Sequence, residues 1–186
     1  MVTMNIFDAL FSASMARVLI FLARNAGRSF FEREIVEATG VSRSAVNLAT
    51  RALHGAGLVA QERRGRMSFY AANDRHPFVR HFKTLDTLAS LEPLLQNLRP
   101  VSRQIILFGS SADGTNTAAS DIDLFVLSSE RGKVMSVISR YQATLPIQPV
   151  ILNNQEWVES KEKDATFYTQ VKRGIAIWEA DDEPGA

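Results

Sequence analysis

The spacing of apolar positions changes period several times along the chain, and each change marks an element. From Met15 to Ala26, Val18, Leu19, Leu22 and Ala26 recur every three or four residues, which predicts an amphipathic helix closed by Gly27. Asp8, Arg17 and Arg24 interrupt this apolar N-terminal stretch at helical spacing and no basic region precedes it, so it reads as a buried helix and not a signal peptide. In the next helix Phe31, Ile35 and Ala38 share one face, while Glu32, Glu34 and Glu37 face water and favour the positive end of the helix dipole. Thr39-Gly40-Val41 predicts a tight turn with Gly40 in the left-handed region. Ser42 is placed to cap a third helix that buries Val46, Ala49 or Thr50, and Leu53.

After Gly57 the period falls to two: LVAQE and MSFYAAN predict short strands around Arg63-Arg64-Gly65-Arg66. Helical spacing returns over residues 76–98 through Phe78, Phe82, Leu85, Leu88 and Leu91, with a kink or break expected at Pro93. His76 and His81 lie five apart on this segment without carboxylates in a metal-binding pattern, so they read as surface or packing residues. QIILFGS then predicts a buried strand that feeds a turn and a helix, and DIDLFVLSS predicts a second strand.

Composition narrows what these elements serve. With 46% hydrophobic and 22% charged residues, the 186-residue chain suits a soluble globular protein of one large or two small domains. The absence of cysteine removes disulfides, thiolate metal sites and cysteine nucleophiles, and fits a reducing cytoplasm. No apolar run approaches the ~20 residues needed to span a bilayer, so no membrane role is expected. The net charge of +1 conceals an asymmetry: residues 1–75 carry ten arginines, no lysine and six acids, whereas 76–186 carry eleven basic residues and fourteen acids. An arginine-rich half beside an acidic half predicts two modules with different partners.

The third helix turns Arg43, Ser44, Asn47 and Arg51 outward with Leu48 among them, side chains that reach phosphates, base edges and a thymine methyl in a major groove. The hairpin carrying Arg63, Arg64 and Arg66 suits phosphate or minor-groove contact. Over residues 12–73, VSRSAVNLATRALHGAGLV and the basic hairpin resemble the winged helix-turn-helix domains of the arsenic-repressor and multiple-antibiotic-resistance-repressor type. That resemblance implies binding of double-stranded DNA through residues 42–55, as a homodimer on palindromic sites. Winged helices also serve as protein-interaction modules, and that alternative stays open.

In FGSSADGTNTAASDIDLFV, strand alternation puts Asp121 and Asp123 on one face, where they repel at neutral pH unless a cation sits between them. Gly109 permits close backbone approach, and Ser110 with the amides that follow suits a triphosphate. There is no Walker P-loop. Gly109-Ser110, ten intervening residues and Asp121-Ile122-Asp123 resemble the minimal nucleotidyltransferases of the DNA polymerase beta-like superfamily, over residues 100–180 including the closing GIAIWEA as a last strand. The resemblance implies Asp121 and Asp123 as catalytic metal ligands for Mg2+ or Mn2+, Gly109 and Ser110 as the grip on an NTP, and transfer of a nucleoside monophosphate to a hydroxyl or a protein acceptor. It also implies a third carboxylate on the strand within LPIQPVILNN, where Gln148 stands instead. An amide neither accepts a proton as a base nor ligates magnesium as a carboxylate does. Glu156 or Glu159 on a following helix would have to swing in to replace it, and Asp113 stands where many relatives carry a basic residue.

The expected fold is α+β: a mostly helical winged helix-turn-helix domain with a β-hairpin wing over residues 1–75, a connecting helix over 76–99, and a nucleotidyltransferase-fold domain with a mixed sheet flanked by helices over 100–186. Two functions follow. One is a DNA-binding protein that binds Mg-NTP and transfers a nucleoside monophosphate. The other is a transcriptional regulator whose nucleotidyltransferase fold is catalytically degenerate and serves in ligand sensing or partner binding.

Overall fold

A computed structural model of the chain describes residues 12–180; Asp8 and the last residues of the expected second domain, 181–186, lie outside the described residues. The chain forms two compact units, Met1–Lys83 and Thr84–Ala186.

In the first unit, helix α1 (Ala13–Arg24) starts where Ser12 Oγ accepts the Met15 N–H at 3.3 Å. A two-residue strand, β1 (Phe30–Phe31), precedes α2 (Glu32–Thr39) and α3 (Arg43–Gly55). Gly40 joins the two helices at φ 66°, a conformation that a Cβ would strain. Ser42 Oγ then accepts the Ala45 N–H and caps α3, which buries Val46, Ala49, Thr50 and Leu53 together. Strands β2 (Val59–Arg64) and β3 (Met67–Ala72) form the hairpin, and β1 pairs with β3 through Phe30 and Tyr70, so the antiparallel sheet runs β1-β3-β2. Leu22, Ile35, Val46, Val59 and Val79 are fully enclosed in one core. Each such aliphatic side chain contributes roughly 1.5–3 kcal/mol by leaving water.

Helix α4 (Pro77–Leu98) spans the expected segment and carries Pro93 inside it, so of the two outcomes expected there, a kink or a break, the helix does not break. The reason is burial. An interior proline costs about 3 kcal/mol through a lost hydrogen bond and ring crowding. Leu94, Leu95 and Leu98 beyond it are nearly or fully enclosed, and together they exceed that penalty at roughly 1.5–3 kcal/mol apiece.

The second unit continues through β4 (Gln104–Phe108), α5 (Gly109–Asp113), β5 (Ile122–Leu127), α6 (Arg131–Ser139), β6 (Ile147–Leu152), α7 (Asn154–Lys163), α8 (Ala165–Arg173) and β7 (Ile175–Glu179). Its sheet has the order β6-β5-β4-β7; only β5 and β6 are parallel, so the sheet is mixed. Side chains alternate across it. Ile105, Leu107, Ile122, Leu124 and Val126 enter a core with Leu91, Leu94 and Val134, while Ile106, Phe108 and Phe125 meet Trp157, Phe167 and Val171 on the other face. The Trp157 ring lies 4.5 Å from that of Phe125.

Strand β6 forms one edge of this sheet. The Ile122 N–H bonds to Pro146 O and the Ser128 N–H to Leu152 O, so the even-numbered residues of β6 face β5 and Ile147, Pro149 and Ile151 turn their backbone outward. Pro149 has no N–H to offer there, and Arg131 Nη2 donates to Ile151 O at 2.6 Å. Among the described residues, no helix is long and apolar enough to cross a membrane.

Candidate functional site

In the first unit, α2, α3 and the hairpin enclose a cleft of about 590 Å³. Arg43, Asn47 and Arg51 reach it from α3, and Arg63 and Arg66 from the hairpin, over a floor that includes Phe31 and Tyr70. The sequence pattern grouped Arg63, Arg64 and Arg66 at a hairpin tip. In the structure β2 extends through Arg64, and strand alternation sends Arg63 and Arg64 to opposite faces. Arg64 pairs with Glu62 at 2.7 Å and stacks 4.6 Å from the Phe69 ring centroid, outside the cleft lining. Ser44 is exposed and hydrogen-bonds with Ser42, and Leu48 is 70% exposed on the outer face of α3. Glu32 was expected to face water; it instead lines the cleft and accepts from Arg43 Nε at 3.0 Å. Among the described residues, Arg51, Arg63 and Arg66 have no carboxylate partner.

In the second unit, β4 delivers the chain to Gly109, whose φ of 67° lies in the left-handed region. Phe108 pairs with Asp123 across β4 and β5, which brings the Gly109 backbone against the Asp123 carboxylate. A Cβ at Gly109 would overlap Asp123 Oδ2 and lie 3.1 Å from Asp123 Cγ, so only glycine allows the approach. Asp121 sits one residue ahead of β5 instead of within it. Ser111, fully buried in α5, donates to Asp121 O at 3.4 Å, and Thr84 donates to Ala112 O at 3.0 Å. These two hydroxyls fix α5 against the carboxylates and were not found from the sequence, because a small polar residue there carries no distinguishing pattern.

Burial and then the neighbouring Asp121 charge raise the Asp123 carboxyl above the ordinary aspartate value. Two half-buried oxygen donors that repel one another, beside an open backbone, form the kind of partial ligand set a hard divalent cation completes with water and phosphate oxygens.

Residues 90–183, half of the chain, match the family described as polymerase beta, nucleotidyltransferase. The chain belongs to this nucleotidyltransferase family. No curated protein matches it. Among solved structures, AF1382 from Archaeoglobus fulgidus is 18% identical, with a TM-score of 0.39 over 44% of this chain and 93% of that one. TrmBL2, described as an archaeal chromatin protein with a novel mode of DNA binding, is 11% identical, with a TM-score of 0.35 over 87% of this chain and 74% of that one.

Within the nucleotidyltransferase unit, Gln148 is in register with Asp123 across the parallel β5/β6 ladder and is exposed. Glu156 and Glu159, the two acids that would have to swing in to supply a third carboxylate, are engaged elsewhere. Both follow the Leu152 end of β6, whereas Asp123 pairs near its start. Glu156 Oε2 caps α7 by accepting the Asn153 N–H at 2.8 Å, and Glu159 accepts from Gln155 at 2.9 Å and Lys163 at 2.6 Å. Asp113 is exposed at the last turn of α5. Among the described residues, no group of three or more histidine, aspartate or glutamate side chains is arranged to hold a metal.

Proposed function

We propose that the chain is a DNA-binding regulator whose nucleotidyltransferase unit binds an NTP together with Mg2+ or Mn2+ and lacks the third carboxylate that transfer uses. The observation that carries this reading is the position of Asp123, with the Gly109 backbone against it on one side and Gln148 in register on the other. Asp121 and Asp123 hold the cation, which neutralises phosphate charge when bound. Gly109 lets the phosphates approach the backbone, and Ser110 offers a hydroxyl and an amide. Gln148 can donate a hydrogen bond but cannot take the proton of an attacking hydroxyl.

DNA recognition belongs to the first unit in this reading. The two helices joined at Gly40, with the β2/β3 hairpin beside them, support a winged helix-turn-helix, and the cleft gathers Arg43, Asn47, Arg51, Arg63 and Arg66. Arg51, Arg63 and Arg66 serve double-stranded DNA as phosphate contacts, while Asn47 and Leu48 face base edges.

A second reading, transfer of a nucleoside monophosphate to a hydroxyl or protein acceptor, is favoured by the retained Gly109–Asp123 approach. Two measurements separate the readings. Calorimetry should give NTP binding that requires Mg2+ and disappears in Asp121→Ala combined with Asp123→Ala; unchanged affinity in that double variant rejects the site. Incubation with labelled NTPs, Mg2+ and cell lysate should leave no label on protein, RNA or small molecules; label that depends on Asp123 establishes the transfer reading.

A further inference from the structure

Five of the arginines read as DNA contacts fall into two groups. Arg51, Arg63 and Arg66 line the cleft with no carboxylate partner among the described residues, whereas Arg43 and Arg64 are held by Glu32 and Glu62. The two held arginines differ. Arg64 and Glu62 lie outside the cleft lining, but the Glu32–Arg43 pair is inside it, at the first residue of α2 and the first residue of α3. Only about a quarter of the Glu32 side chain is exposed, against 84% of Arg43. The arginine is therefore free to leave and the carboxylate is not.

We propose that Glu32 is a specificity-setting residue that withholds Arg43 from non-specific duplex DNA. The inference rests on the DNA-binding reading and adds a role for a carboxylate in the same cleft. Binding of any duplex draws on guanidinium groups that displace counterions from phosphates. For Arg51, Arg63 and Arg66 that gain is unopposed. Arg43 reaches a phosphate only by leaving Glu32, and the exchange strands a part-buried carboxylate beside a polyanion. Attraction to a loosely placed phosphate, screened by salt, does not offset that exchange. A closely fitted partner does, such as the O6 and N7 atoms of a guanine that accept both arms of a guanidinium. Arg43 is thus committed only at sites where α3 is seated in register, and Glu32 is the residue that enforces the condition.

The test is a salt series of binding to a random-sequence duplex, using the full chain. Glu32→Gln should tighten binding and steepen the slope of log affinity against log salt by about 0.9, one added phosphate contact. Arg43→Ala leaves the Glu32 carboxylate bare beside the duplex and should weaken binding, whereas the double variant, which removes both charges, should return to the wild-type affinity and slope. Unchanged slope in Glu32→Gln, or a slope in the double variant below that of the wild type, overturns the proposal. Glu92→Gln, which removes the partner of Arg99 in the other unit, serves as a control for the general effect of deleting a charge. Thermal unfolding of each variant separates loss of fold from change of affinity. Failure of the parent reading looks different: a wild-type chain with no salt-dependent duplex binding, or one indifferent to Arg51→Ala and Arg63→Ala, rejects DNA recognition itself.

Discussion

Gln148 lies beside Asp123 across the parallel β5/β6 ladder, so an amide stands where a carboxylate would face the Asp121–Asp123 pair. The two acids repel each other and are partly shielded from water, and the residue best placed to join them adds no charge.

Gln148→Glu should therefore strengthen binding of Mg2+ or Mn2+, by about tenfold, the equivalent of ~1.4 kcal/mol. Calorimetric titration with either ion measures this. Glu156→Gln and Glu159→Gln should leave ion affinity at the wild-type value, because both side chains are engaged around α7. An equal loss in either variant would show that α7 feeds the site.

The raised Asp123 carboxyl gives the site a pH dependence of defined sign. A group whose folded-state pKa lies above its unfolded value favours the fold while protonated. That contribution is fully present below the unfolded pKa and is lost as pH rises through the folded pKa. Without divalent ions, Asp123→Asn should raise the melting temperature at neutral pH, and the advantage should vanish in acid below the ordinary aspartate range. Ion affinity of the wild type should rise with pH, with its inflection above the ordinary aspartate value of 3.8.

Gly109→Ala and Gly65→Ala both place a Cβ at positive φ, 67° and 63° respectively, but only Gly109 also faces a neighbouring side chain. The shared backbone strain is about 1–2 kcal/mol. Gly109→Ala should exceed Gly65→Ala in urea unfolding and should also weaken ion binding, since Asp123 must move aside. Equal costs would mean that Asp123 yields freely.

Arg51→Ala and Arg63→Ala should each weaken duplex binding and reduce the salt slope by about 0.9. Arg64→Ala should leave the slope unchanged and instead loosen the hairpin, because Arg64 is tied to Glu62 and stacked on Phe69. Hydrogen exchange of the β3 amides reports that loosening.

The helices α1 to α3 and the central strands were legible because long apolar periods and a capping serine declare themselves locally. The alignment of Gln148 with the carboxylate pair came from the family resemblance, and the β5/β6 register agrees with it. Strand β1 was not legible, because two residues are too few to show a period; it becomes a strand only through pairing with Tyr70 and Phe69. Continuation of α4 past Pro93 depended on where Leu94, Leu95 and Leu98 would be buried, which a local rule does not contain. The separation of Arg63 from Arg64 turned on the last residue of β2, a boundary fixed by cross-strand pairing with Met67. Glu32 looked like one of three solvated acids until the fold set α2 beside α3.

The capped outer margin of β6 has a consequence for how this unit can be approached. With proline in place of a donor and a guanidinium on the Ile151 carbonyl, the backbone there has little left to share with an incoming chain. Strand addition, one recurring way for a sheet to recruit another polypeptide, is thereby discouraged on that side. A protein that meets the nucleotidyltransferase unit at β6 must recognise side chains, and its affinity will follow their identity more than the general stickiness of an unpaired strand.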